Sequence, residues 1–170
     1  QHEGWVEVDT APGRGTRVRV YLSAGAGAGE EETEAVDTSL PAGSETVLVV
    51  EDDASLRAAL VRTLRKQGYR VLEAGSGREA LVVWEGCQGE VDLLFTDMVM
   101  PDGMSGVDLA VDLRRRRPGL GVILATGYSP ESIPRSGLAG EPMVQLTKPF
   151  NPLQLAVLVR QELDRTRRPG

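Results

Sequence analysis

The apolar positions change their period along the chain. In Trp5-Val6-Glu7-Val8 and in Thr16-Arg17-Val18-Arg19-Val20-Tyr21-Leu22 they alternate with polar ones, the period of half-buried strands. Pro12-Gly13-Arg14-Gly15 between them has turn chemistry. Two strands alone are at best marginally stable in water, so this hairpin is expected to belong to a sheet whose other strands are not in this chain. Residues 23–44 show no period: they are Ala/Gly-rich and then acidic, through Glu30, Glu31, Glu32, Glu34 and Asp37. Too little apolar surface is available there to offset the entropy of ordering, and the stretch reads as a flexible linker.

From Glu45 onward short apolar runs alternate with amphipathic stretches. Strands are predicted over 47–51, 70–74, 91–96, 121–126 and 143–146, three of them near-continuous apolar runs of the kind found in parallel strands covered on both faces. Between them Leu56, Ala59, Leu60 and Leu64 form a helical stripe that stops at Gly68. Ser76 with Glu79 has the spacing of a capping box before the apolar positions 80–84. A third helix is predicted from Ser105 to a stop at Pro118-Gly119, and Asn151-Pro152 offers an N-cap followed by proline at the first helical position. Over 130–140, Pro134, Gly137 and Gly140 permit only a short helix. Five βα units in about 120 residues imply an open, doubly wound α/β sheet of five parallel strands, with the ligand site beyond the carboxyl ends of the strands.

Composition narrows the picture. With 170 residues, 41% of them hydrophobic and 26% charged, the chain can hold one full domain and a remnant, and not two large domains. No apolar run approaches the ~20 residues of a membrane span, so no membrane contact by this chain is expected. A net charge of −6 argues against nucleic acid or an anionic lipid surface as the main partner. The lone Cys87 excludes an internal disulfide, fits a reducing, cytoplasmic compartment and reads as a small buried hydrophobe. The chain starts at Gln1, with no apolar signal region, and further chain upstream is expected.

The residues just after the predicted strands are Glu51-Asp52-Asp53, Asp97, Thr126 and Lys148, and the strand-end rule brings all of them to one sheet edge. Carboxylates gathered at one edge repel unless a cation neutralises them, and all-oxygen ligands favour a hard ion such as Mg²⁺ over zinc. A lysine and a hydroxyl at the same edge suit a tetrahedral oxyanion. Lys148 is one of only two lysines, with Lys66, among 19 basic residues. A chain so biased to arginine retains lysine where a compact point charge fits better than a planar fork. The plainer reading is that the acids cap helices and Lys148 is solvated.

Residues 46–163 resemble a response-regulator receiver domain. The resemblance lies in Val47-Leu48-Val49-Val50-Glu51-Asp52-Asp53, in Phe95-Thr96-Asp97-Met98-Val99-Met100-Pro101 with Ser105-Gly106, in Ile123-Leu124-Ala125-Thr126-Gly127 and in Thr147-Lys148-Pro149-Phe150. It implies a five-stranded flavodoxin-like fold with five helices, in which Asp97 accepts a phosphoryl group from a phosphohistidine of a histidine kinase or a histidine phosphotransfer protein. By the same resemblance Asp52 would bind Mg²⁺ directly, Glu51 through water, Asp97 itself and the carbonyl of Val99 completing the set. Lys148 would pair with a phosphoryl oxygen and Thr126 would donate its hydroxyl after phosphorylation, shifting the surface of the fourth helix, the strand holding Gln145 and the last helix. Asp53 is left to begin the first helix. Phosphoryl transfer needs positioning and neutralised oxygens more than acid/base chemistry, and no general base is visible.

Residues 1–22 resemble the last strands of a histidine-kinase ATPase domain, through Gly4-Trp5-Val6-Glu7-Val8 and Pro12-Gly13-Arg14-Gly15-Thr16. The resulting layout is a hairpin remnant over 1–22, a linker over 23–44, a receiver over 45–165 and a polar tail over 166–170, the C-terminal end of a hybrid sensor kinase. The ATP site, and any tether to the membrane, would lie in the rest of the parent protein; this chain would at most lose its phosphoryl group slowly by itself. His2 is given no catalytic role, and no output by DNA binding is expected. Gln145 stands where many receivers carry a switching aromatic, leaving Tyr128 or Phe150 to contribute. Val99 and Tyr128 are the positions expected to tune phosphoryl lifetime by occluding water. Arg114 to Arg117 read as a solvated helix end suited to the dipole. Two alternatives share the fold: a phosphorylation-independent interaction domain, and a Mg²⁺-dependent phosphohydrolase, which would need a second acid where Val99 stands or at Asp102.

Overall fold

The computed structural model describes residues 4–22, 42–101, 103–127 and 143–167, and the chain divides into two units, 1–38 and 39–170. In the first unit β1 (Gly4–Ala11) and β2 (Gly15–Leu22) form an antiparallel hairpin, with Val6 opposite Val20 and Val8 opposite Val18. Gly13 and Gly15 turn the chain at φ of +74° and +77°, the left-handed region that side chains disfavour. On the other face Trp5 stacks on Tyr21 at 4.8 Å and Arg19 lies 3.6 Å from Glu7. The half-burial expected from alternation is corrected here. Val6, Val8, Val18 and Val20 are each more than half exposed, because two strands have no second layer of their own to cover the apolar face.

In the second unit five parallel strands lie in the order β4-β3-β5-β6-β7: β3 (Thr46–Val50), β4 (Arg70–Ala74), β5 (Leu93–Asp97), β6 (Gly121–Thr126) and β7 (Val144–Thr147). With α1 (Ala54–Lys66), α2 (Gly77–Gly86), α3 (Gly106–Arg116) and α4 (Pro152–Arg167) they make the flavodoxin-like, doubly wound α/β fold that the pattern predicts. The short helix expected within 130–140, Tyr128, Asp102, most of the linker and the last three residues lie outside the described residues. No described helix is long and apolar enough to cross a membrane.

The strands read as unbroken apolar runs because the sheet is covered twice. Val47, Val49, Phe95 and Ile123 pack under α1 and α4 against Leu60, Leu64, Leu155, Val159 and Leu163. Leu48, Val50, Leu94, Val122 and Leu124 pack under α2 and α3 against Trp84, Leu109 and Leu113. Truncating any of the fully buried leucines to alanine removes contacts that the neighbours cannot all recover, at about 2–5 kcal/mol.

Caps set the helix starts. Asp53 accepts the N–H groups of Ser55 and Leu56 at 2.8 and 2.9 Å, as expected of a helix-starting Asp. Ser105 and Asp108 form a reciprocal capping box, and Asn151 and Gln154 exchange a second pair of bonds at 2.8 Å each. At Ser76 the expected box is only half made: its Oγ accepts the Glu79 N–H, but the Glu79 carboxylate takes the N–H of Gly75 instead, at 2.6 Å. β5 starts two residues later than predicted. Asp92, placed in that strand by the pattern, uses its carboxylate to hold the Thr46 N–H and Arg117. Arg114, Arg116 and Arg117 are not a merely solvated helix end: they bind the Leu120 carbonyl, Glu85 with Asp112, and the Gly89 carbonyl with Asp92. Cys87 is half-buried rather than buried, its Sγ donating to the Trp84 carbonyl at 3.3 Å.

Gly43, two residues before the boundary drawn at 45, already packs on this unit. Its N–H donates to the Gln67 carbonyl at 3.1 Å, and a Cβ there would lie 2.3 Å from the Tyr69 ring and 2.8 Å from Arg160. Next to it the buried Glu45 pairs with Arg160 and Arg167 of α4, at 2.9 Å each.

Candidate functional site

The strand register brings the predicted residues together. β3 runs out into Glu51 and Asp52, β5 ends on Asp97, β6 ends on Thr126, and β7 runs into Lys148 one residue after its pairing of Thr126 with Thr147. The Lys148 N–H also donates to the Thr126 carbonyl at 2.7 Å, so both residues belong to one strand end. One carboxylate oxygen from each of Glu51, Asp52 and Asp97 lies within 4.8 Å of the others. Lys148 Nζ bridges two of them, donating to Asp97 Oδ2 at 2.6 Å and to Glu51 Oε2 at 2.8 Å.

Burial grades the three acids. Glu51 is 2% exposed, Asp97 is half-buried and Asp52 is open to solvent. Burial pushes the Glu51 carboxyl above its ordinary range; Lys148 pulls it back without prevailing, and the charge of Asp97 adds to the rise. For Lys148 burial acts to lower the pKa, yet the bonds and charges of Asp97 and Glu51 hold the ammonium above its ordinary value. Three carboxylates against the Lys148 ammonium and the Arg57 guanidinium leave the edge short of positive charge. The donor set is all oxygen, without His or Cys, and fits a hard divalent cation such as Mg²⁺.

Backbone geometry around Asp97 is tight. The Val99 N–H donates to Asp97 Oδ1 at 3.1 Å, which sets the Val99 backbone beside the acid, while the residue as a whole is 64% exposed. Met98 N–H bonds the Ala125 carbonyl at 2.9 Å, tying the loop to β6. Gly106 opens α3 against this loop, and a Cβ on it would fall 2.0 Å from the Asp97 carbonyl oxygen. That glycine is one of the residues that carry the receiver resemblance, and its place at the first position of a helix, where Gly brings no helical advantage, is a second signal.

Thr126 is buried at the strand end. Gln145, half-buried, pairs with Leu124 across β6 and β7 and therefore shares a sheet face with Thr126; its Oε1 is enclosed with no hydrogen-bond partner among the described residues. Tyr128 lies outside the described residues, and Asp53 is taken up by its cap. Sequence reasoning missed Arg57 entirely: from α1 its Nη1 donates to the carbonyls of Glu51 and Asp52, at 2.6 and 3.4 Å.

Residues 47–160 match the family described as response regulator receiver domain. The chain is 37% identical over 176 residues to the sensor kinase CckA of Brucella abortus (strain 2308), a match that covers 97% of this chain and 18% of that protein. Among solved structures, the receiver domain of the hybrid histidine kinase CckA is 36% identical with a TM-score of 0.58, covering 69% of this chain and 98% of that one. The response regulator TrrA of Thermotoga maritima, solved in complex with Mg(2+)-BeF, is 29% identical with a TM-score of 0.57, covering 69% and 97%. The chain thus spans less than a fifth of the length of its kinase relative.

Proposed function

The chain belongs to the response regulator receiver family of two-component systems, and from that premise we propose that Asp97 accepts a phosphoryl group from a phosphohistidine. The observation that carries this is the bridge of Lys148 between Asp97 and Glu51, with Asp52 alongside, at the carboxyl edge of the sheet. An Asp97 oxygen attacks phosphorus in line as the phosphorus–nitrogen bond to histidine breaks. Lys148 follows a phosphoryl oxygen, a role supported by the 2.6 Å between its Nζ and Asp97 Oδ2. Glu51, Asp52, Asp97 and the Val99 carbonyl would hold Mg²⁺, which when bound neutralises the oxygens of the transferring group. Thr126 turns its hydroxyl to the phosphorylated acid, and Gln145, Tyr128 and Val99 tune the switch and the phosphoryl lifetime.

Residues 45–165 act as the receiver of a hybrid sensor kinase, reached through the linker 23–44. The hairpin 1–22 is the end of that kinase's ATPase domain, a reading supported by the length of the match to the CckA kinase. The phosphodonor is a histidine of that kinase or of a phosphotransfer protein, in the cytoplasm. Intact mass after treatment with acetyl phosphate and Mg²⁺ tests the proposal: one added phosphoryl group is expected in the native chain and none in Asp97→Asn. Equal phosphorylation of the two would refute it.

A further inference from the structure

The three carboxylates differ in what holds them. That of Glu51 is anchored by Lys148 and, at 3.4 Å, by the Asp53 N–H; that of Asp97 by Lys148 and the Val99 N–H. Among the described residues nothing hydrogen-bonds the carboxylate of Asp52, although the proposal above puts it in direct contact with the cation. Its backbone is held instead. The carbonyls of Glu51 and Asp52 belong to the two peptide units on either side of Asp52, and both face Arg57 Nη1. Planar peptides fixed on both sides of a residue leave its Cα–Cβ direction little freedom, and bonds from a guanidinium are stronger than neutral ones.

The path of Arg57 is itself prepared. A Cβ on Gly75, at the end of β4, would lie 3.3 Å from Arg57 Nη1 and 3.3 Å from Glu79 Oε2. The Glu79 carboxylate holds the Gly75 N–H at 2.6 Å, so the start of α2, the end of β4 and the acid loop after β3 meet at this guanidinium. We propose that Arg57 is a positioning residue of the cation site, aiming Asp52 through the backbone without touching the cation or the phosphoryl group. This rests on the reading of Glu51, Asp52 and Asp97 as the Mg²⁺ ligands.

Calorimetric titration of Mg²⁺ into the full chain tests it, with Arg57→Met, which keeps the apolar stem, and Arg57→Lys, whose single ammonium reaches one carbonyl at a time. Supporting groups of this kind change metal affinity by roughly 10–100-fold; about tenfold weaker binding is expected in the Met variant and a smaller loss in the Lys variant. Phosphorylation by acetyl phosphate should need correspondingly more Mg²⁺ and reach the native maximum at saturation. Native affinity in both variants, or a lowered melting temperature with native affinity, overturns the proposal. Should the Met variant fail to fold, native affinity in the Lys variant alone overturns it. A native chain that binds no Mg²⁺, or an Asp52→Asn variant that binds as the native chain does, refutes the site assignment itself, an outcome distinct from failure of the Arg57 role.

Discussion

At the scale of single residues the site is a set of charges that do not balance without help. Among the described residues Lys148 is the only cation bonded to the carboxylates of Glu51 and Asp97, and it is 24% exposed, so the pair is only partly screened by water. Lys148→Ala should destabilise the Mg²⁺-free chain by about 1–3 kcal/mol, the range for hydrogen bonds to charged groups discounted for this exposure. Added Mg²⁺ should then raise the melting temperature of Lys148→Ala more than that of the native chain, because the cation restores charge the lysine no longer supplies. An equal Mg²⁺ increment in both would contradict the shared edge. Gly106 makes a different, purely steric prediction. With its Cβ position 2.0 Å from the Asp97 carbonyl oxygen, backbone must move to admit alanine. Gly106→Ala should lower stability by about 1–3 kcal/mol, as overpacking does, and slow the mass gain from acetyl phosphate. A variant with native stability would show the loop to be freer than its hydrogen bonds indicate.

At the scale of elements, what was legible followed from period and from chemistry that repeats. The five strands stood out because parallel strands covered on both faces cannot hide their apolar runs, and the Asp53, Ser105 and Asn151 caps because a short polar side chain before a stripe has few other uses. The four strand-end clusters then predicted, from order alone, which residues meet at the carboxyl edge of the sheet. What could not be read were contacts that follow no period: Asp92 withdrawn from β5 by Arg117, Glu79 diverted to Gly75, Arg57 folded back on its own helix start, and Glu45 clamped by α4. The Asp92 and Glu45 contacts depend on where the sheet places a residue far away in sequence; those of Glu79 and Arg57 span only four to six residues, but link a helix back to the loop before it and so follow no helical or strand period. The Glu45 clamp carries a pH prediction. Burial pushes its carboxyl up, but the bond from Arg160, its own backbone N–H and the charges of Arg160 and Arg167 outweigh that and hold it below the ordinary glutamate value of 4.5. A depressed folded pKa contributes stability above the unfolded value and loses it as pH falls through the folded one. Glu45→Gln should therefore be destabilised near neutral pH, by up to about 3 kcal/mol, the lower end for breaking a buried pair. Its deficit should shrink as the medium is acidified below the ordinary glutamate pKa. Thermal melts of the two chains across that range check this; a gap that widened in acid would reverse the sign.

At the scale of the whole chain the two units differ in how they cover their apolar surface. The receiver unit buries both faces of its sheet beneath its own four described helices, so its stability is expected to be internal. The hairpin carries four valines on one face, each more than half exposed, and both of its strand edges are unpaired within its two-stranded sheet. Such a surface invites association with other apolar surface or other strands. Deleting residues 1–41, which leaves Gly43 and its bond to Gln67 in place, should thus separate two properties. The melting temperature of the receiver should move by less than about 3 °C, since a ΔΔG of 1 kcal/mol shifts a domain of this size by roughly 2–8 °C and none of the described core residues is lost. Binding of an apolar dye such as ANS, and concentration-dependent self-association in sedimentation, should fall, because the exposed valine face is gone. Deleting residues 1–44 instead should lower the melting temperature further, as Gly43 then no longer fills its slot beside Tyr69 and Arg160. Undiminished dye binding after the 1–41 deletion would show that the adhesive surface lies on the receiver. A melting temperature equal for the two deletions would show that the receiver holds without its Gly43 contact.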